Sequence, residues 1–149
     1  MGIRLRFLML LLGLALSAGG CDGGGGGDLP TAIELYGTWE NVEGGEVRAF
    51  VFEASNATWP DLAGASMVFQ LYFYAEGAAP VMVQRGTYEV TEGHLVTTLT
   101  WASDGAMGSA GTSYANILYG WSGDSFTMES TSAASGKRVF TAAAPETYQ

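Results

Sequence analysis

Cysteine is almost missing from this chain: Cys21 is the only one in 149 residues, so no intramolecular disulfide can staple the fold. Histidine is equally scarce. His94 stands alone beside a turn, and a transition-metal site has no His or Cys set to draw on. Cations are few, 6 against 15 acidic residues, and Arg4 and Arg6 precede the first apolar run. The remaining four, Arg48, Arg85, Lys137 and Arg138, leave the body of the chain more anionic than the overall charge of −9. That excludes nucleic acid, whose phosphates need a basic footprint, and disfavours direct adsorption to anionic lipid. Helical periodicity is absent after Cys21, and Phe7 to Leu16 is too short an apolar run to span a bilayer as a mature helix.

Catalytic signatures are missing as well, so neither an enzyme nor a cofactor is expected. No Gly-x-Ser-x-Gly elbow marks a nucleophile. Gly105, Gly108 and Gly111 lack the following Lys and Ser or Thr of a phosphate loop, and Asp104-Gly105 and Gly123-Asp124 lack the dense oxygen spacing of a calcium loop. The pairs Glu40 with Glu43 and Glu89 with Glu92 have odd spacing, which in extended chain turns them to opposite faces.

What is present begins at the N-terminus. Arg4 and Arg6 form a basic region, Phe7 to Leu16 an apolar core, and Ser17-Ala18-Gly19-Gly20 a small-residue cleavage zone directly before Cys21. The segment resembles a bacterial lipoprotein signal. That resemblance implies that residues 1–20 are removed and that the Cys21 thiol takes a diacylglycerol, anchoring the protein to a membrane of the cell envelope. Cleavage near Ser17 or Ala18 by ordinary signal peptidase is the alternative. Residues 21–34, with the run Gly23 to Gly27, read as a flexible tether with a reach of roughly 20 Å.

Beyond the tether, short apolar runs bounded by Gly, Ser and Asp recur every ten to fifteen residues, the pattern of an all-β domain over residues 35–143 with a short tail at 144–149. Eight strands are expected: Tyr36 to Val42, Glu46 to Glu53, Met67 to Tyr74, Val81 to Thr91, His94 to Ala102, Ser113 to Ser122, Ser125 to Ser130 and Arg138 to Ala143. Glu43-Gly44-Gly45, Glu92-Gly93 and Gly123-Asp124 are tight enough for hairpins. Sequential hairpins favour an eight-stranded antiparallel up-and-down barrel, with a β-sandwich as the alternative. Three stretches carry a more specific likeness: Gly37-Thr38-Trp39, Gly86-Thr87-Tyr88-Glu89-Val90 running into Leu95-Val96-Thr97-Thr98-Leu99, and Gly120-Trp121-Ser122-Gly123-Asp124-Ser125-Phe126-Thr127-Met128. In order and spacing they resemble the bacterial lipocalin-like domain from about Tyr36 to Ala142. Members commonly carry a late Arg over the first-strand Trp. Here Thr141 and Ala142 follow Phe140, and Arg138 enters the last strand at the opposite end.

Connections in such a barrel alternate between its two ends. Gly37, Trp39 and, as a plug, Trp59 are expected at the closed end with the N-terminus; the mouth then collects residues 75–80, 103–112 and 131–137, together with the cations Arg48, Arg85, Lys137 and Arg138. The closed end is acidic, and anionic lipid would hold it off while the mouth points away from the membrane. By alternation Phe50, Phe52, Phe69, Leu71, Phe73, Tyr88, Leu99 and Trp101 face inward. Either they fill the core, giving a scaffolding lipoprotein that contacts another envelope protein, or they line a cavity for a small hydrophobic or amphiphilic ligand, with a mouth cation meeting an anionic headgroup. Met67 to Tyr74 is apolar on both faces, so that strand either touches a partner or is covered by the loop before it.

Overall fold

A computed structural model describes residues 29–55, 62, 65–131 and 136–148. Its strands are β1 (Gly37–Glu43), β2 (Glu46–Ala54), β3 (Met67–Ala75), β4 (Met82–Thr91), β5 (His94–Ala102), β6 (Ser113–Trp121), β7 (Ser125–Ser130) and β8 (Lys137–Ala142), each within one residue of its expected bounds. They pair antiparallel in sequence order and close into a barrel. The seam pairs Trp39 with Ala142 and Glu40 with Thr141, which removes both sheet edges and rules out the sandwich. The closing turns follow from backbone sterics. Gly44 and Gly45 have φ of 62° and 81°, and Glu92 and Gly93 have 48° and 77°, the left-handed conformations that match a two-residue turn to the twist of its strands.

Three irregularities re-aim side chains. The register slips between Leu71 and Tyr72 on β3, between Arg85 and Gly86 on β4, and between Leu118 and Gly120 on β6. In the second, Gly86 pairs with Leu99 and Arg85 with Trp101, leaving Thr100 as the extra residue. A Cβ on Gly86 would stand 1.9 Å from the Thr98 carbonyl oxygen, so the close approach of β4 and β5 there requires glycine.

The lower half of the barrel, at the end where the chain enters, is solid. Phe52, Phe69, Phe126, Phe140, Leu35, Leu95 and Leu99 are almost wholly buried there. Phe126 stacks on Phe140 at 5.1 Å, and Phe52 meets Tyr88 at 4.6 Å. Of the described residues before β1, Ala32 and Leu35 pack into this core. Thr31 and Glu34 form a reciprocal cap: the Glu34 carboxylate accepts from Thr31 N at 2.8 Å, and the Thr31 hydroxyl accepts from Glu34 N. The turn they fix puts the Leu35 carbonyl 2.8 Å from Trp39 Nε1 and the Ala32 carbonyl 2.7 Å from the Tyr88 hydroxyl. Trp39 is covered by Trp121 at 5.4 Å and Phe126 at 5.3 Å, aromatic rings standing where the resemblance leads one to look for an Arg.

Residues 143–148, after β8, return to the barrel. Pro145–Tyr148 form a 3-10 turn, and the Tyr148 ring packs on Tyr72 at 4.9 Å and closes over Ala49 and Val51 on the outer face of β2. The Tyr148 hydroxyl donates to the Glu40 carboxylate and accepts from Tyr74. Tyr72 and Tyr74 on the outer face of β3 are thus engaged by the C-terminal turn.

Candidate functional site

The upper half of the barrel is hollow. Register stacks its interior in rows two residues apart, about 6.7 Å along each strand. On β2 the inward series is Arg48, Phe50, Phe52, and on β8 it is Arg138, Phe140, so an arginine stands one row above a phenylalanine on both strands. Phe50 and Phe140, 5.5 Å apart, form the floor with Leu71 and Met128. Thr97, Asn116, Ser130, Tyr114 and Gln84 make a polar wall above it, enclosing a cavity of about 270 Å³ open at the mouth.

A roof comes from the connection between β5 and β6. Asp104 caps a 3-10 turn at Gly105–Met107, its carboxylate accepting from Ala106 N at 2.8 Å and Met107 N at 3.1 Å. The Gln84 amide donates to the Met107 carbonyl at 2.6 Å, and Ala106 and Met107 line the cavity. At Gly108 the loop dips into the lumen: a Cβ there would meet the Tyr114 hydroxyl at 2.5 Å and Leu99 at 2.9 Å, and φ is 101°.

The cations divide into two inside and two outside. Arg48 lines the cavity, 3.2 Å from the Glu46 carboxylate, with its guanidinium 5.1 Å from the Phe73 ring centroid. Arg138 lines it from β8, the other strand that flanks β1, 3.6 Å from Glu43. Glu43 and Glu46 pair across the β1–β2 hairpin and are more than half exposed at the rim. Arg85 lies outside over Trp101, and Lys137 outside over Tyr119, whose hydroxyl donates to Glu129 at 2.6 Å. Among the described residues, no carboxylate lines the cavity.

Of the eight residues expected to face inward, Phe50 and Leu71 line the cavity, and Phe52, Phe69, Tyr88 and Leu99 lie in the solid core beneath it. Phe73 stands in the Arg48 row at the rim. Trp101 is a correction: the extra residue Thr100 turns it outward, 36% exposed, and brings Ala102 in to the core instead. Gly37 and Trp39 are at the closed end, and the expectations for Trp59 and Cys21 lie outside the described residues. Thr97, Asn116 and Met128 follow from the same alternation as Leu99, Leu118 and Phe126 on their own strands, but a reading for apolar liners passes over the polar two. Met107 had no strand pattern to reveal it.

Burial raises the Tyr88 hydroxyl pKa well above the usual tyrosine value. Tyr148 is raised by burial first and then by its hydrogen bonds to Glu40 and Tyr74. His94 Nδ1 lies 3.0 Å from the Glu92 carbonyl, and among the described residues no group of three or more His, Cys, Asp or Glu is placed to hold a metal. Family models, curated proteins and solved structures were each compared with the chain, and none of them matches it.

Proposed function

We propose that this chain is a lipid-anchored protein of a bacterial cell envelope, related to the lipocalin-like domain lipoproteins, whose barrel binds a small apolar or amphiphilic ligand. One observation carries the reading: an edgeless barrel filled below Phe50 and Phe140 but hollow above them, with a polar wall and two arginines at the mouth. A small barrel that served only as a scaffold would gain stability by filling that volume with side chains. The β3 outer face offered for a protein partner is engaged by Tyr148 through Tyr72 and Tyr74, which supports the ligand reading over docking. The anchor rests on Cys21 and the glycine run that follows it. Because residues 29–36 enter at the closed end, a Cys21 anchor would set that end toward the membrane and the mouth away from it.

Two mass measurements on the protein from bacterial cells test this. The membrane-extracted chain is expected to begin at a Cys21 carrying diacylglycerol, and a chain starting at Asp22 to retain a small apolar molecule under native conditions. An unmodified N-terminus would remove the anchor, and a barrel that retains nothing and takes up no added ligand would remove the carrier role.

A further inference from the structure

Resting on the cavity reading above, we infer that the ligand is a monoanionic amphiphile of about ten non-hydrogen atoms, its carboxylate held between Arg48 and Arg138. The sign comes from an imbalance. The chain has 15 acidic residues and 6 basic ones, yet two cations and, among the described residues, no anion line the cavity. Two arginines that line one cavity from β2 and β8, the strands on either side of β1, offer forked donors to a planar carboxylate, and partial burial strengthens such bonds over those made in water. Glu43 and Glu46, more than half exposed at the rim, contact Arg138 and Arg48 directly and offset part of the positive charge, which suits one negative charge better than two.

Polarity along the barrel sets the orientation. The apolar floor of Phe50, Leu71, Met128 and Phe140 is below the arginines, so the tail points inward and the head outward. The size follows from volume. An apolar cavity of about 150 Å³ accommodates a six-carbon ring, so one of about 270 Å³ holds about ten heavy atoms. Beneath it Phe52, Phe69 and Phe126 leave no room for a longer tail.

Octanoate, octan-1-ol and octylamine share one tail and differ in head charge, so calorimetry with the three separates head from tail. The protein is the chain from Asp22, which keeps every described strand pairing, at physiological ionic strength, where charge beyond about 8 Å is screened. Octanoate is expected to bind at least about tenfold more tightly than octanol. Arg48→Gln with Arg138→Gln is expected to erase that difference, with the variant's far-ultraviolet circular dichroism and urea unfolding reporting an intact barrel. Tetradecanoate is expected to bind no better than octanoate. Equal affinity for octanoate and octanol, or tighter octylamine, would overturn the anionic head but leave the cavity reading standing. A steady gain up to tetradecanoate would overturn the size limit. Binding of none of them would overturn both this inference and the function on which it rests.

Discussion

A single side chain, Tyr148, shows how the fold turns apolar burial and polar pairing to the same end. Its ring covers Ala49 and Val51, and its hydroxyl joins Glu40 and Tyr74 across three elements. Tyr88 does the equivalent inside, its ring on Phe52 and its hydroxyl on the Ala32 carbonyl. Both hydroxyls have pKa values raised above the usual 10.0, so the folded state favours the neutral phenol. Stability from this source is fully present below pH 10 and is lost as the pH rises above it, because the unfolded chain releases protons that the native state retains. An alkaline titration followed by phenolate absorbance and circular dichroism checks the sign. Tyr88 and Tyr148 are expected to ionise only together with loss of the fold. Smooth ionisation of all 7 tyrosines near pH 10 in an intact barrel would contradict the burial described here.

Strands were the most legible elements, because alternation and two-residue glycine turns are local properties of sequence. Glu92-Gly93 and Gly44-Gly45 set the pairings of β4 with β5 and of β1 with β2. Three things were not local. The extra residue at Thr100, forced by the contact of Gly86 with the β5 backbone, reverses Trp101 and turns a cavity candidate into a surface partner of Arg85. The dip at Gly108 that brings Met107 over the cavity depends on Gln84 from a different strand. Neither the ordered turn before β1 nor the one after β8 has a periodic pattern, since each is held by a few contacts with distant residues. Pro145–Tyr148 is therefore expected to contribute as an element: deleting residues 145–149 should cost about 2–3 kcal/mol, the scale of one buried aromatic side chain, measured by urea unfolding. A loss below about 0.5 kcal/mol would mean that the turn merely rests on the sheet.

At the scale of the whole molecule the barrel is divided between two tasks. Its lower half, closed by Leu35, Trp39 and Trp121, supplies the buried aromatic core that stabilises a sheet without edges. The upper half gives up that filling, and the strands there carry Thr97, Asn116, Ser130 and two arginines where more apolar side chains would pack. The alternation of loops between ends was readable from strand order, and it placed the mouth opposite the N-terminal segment. How far down the hollow extends was not readable, because Phe50 and Phe52 are equivalent in sequence and differ only in the rows their partners complete. The methionines sample this division: among the described residues Met107 and Met128 line the cavity, while Met67 packs against the lower core and Met82 pairs with Tyr72 on the barrel wall. The most direct test of a half-filled barrel is methyl NMR of the methionine-labelled chain during addition of octanoate. Shifts of the Met107 and Met128 methyls with Met67 and Met82 unmoved are the expected result; shifts confined to Met67 and Met82, or none at all, would contradict it.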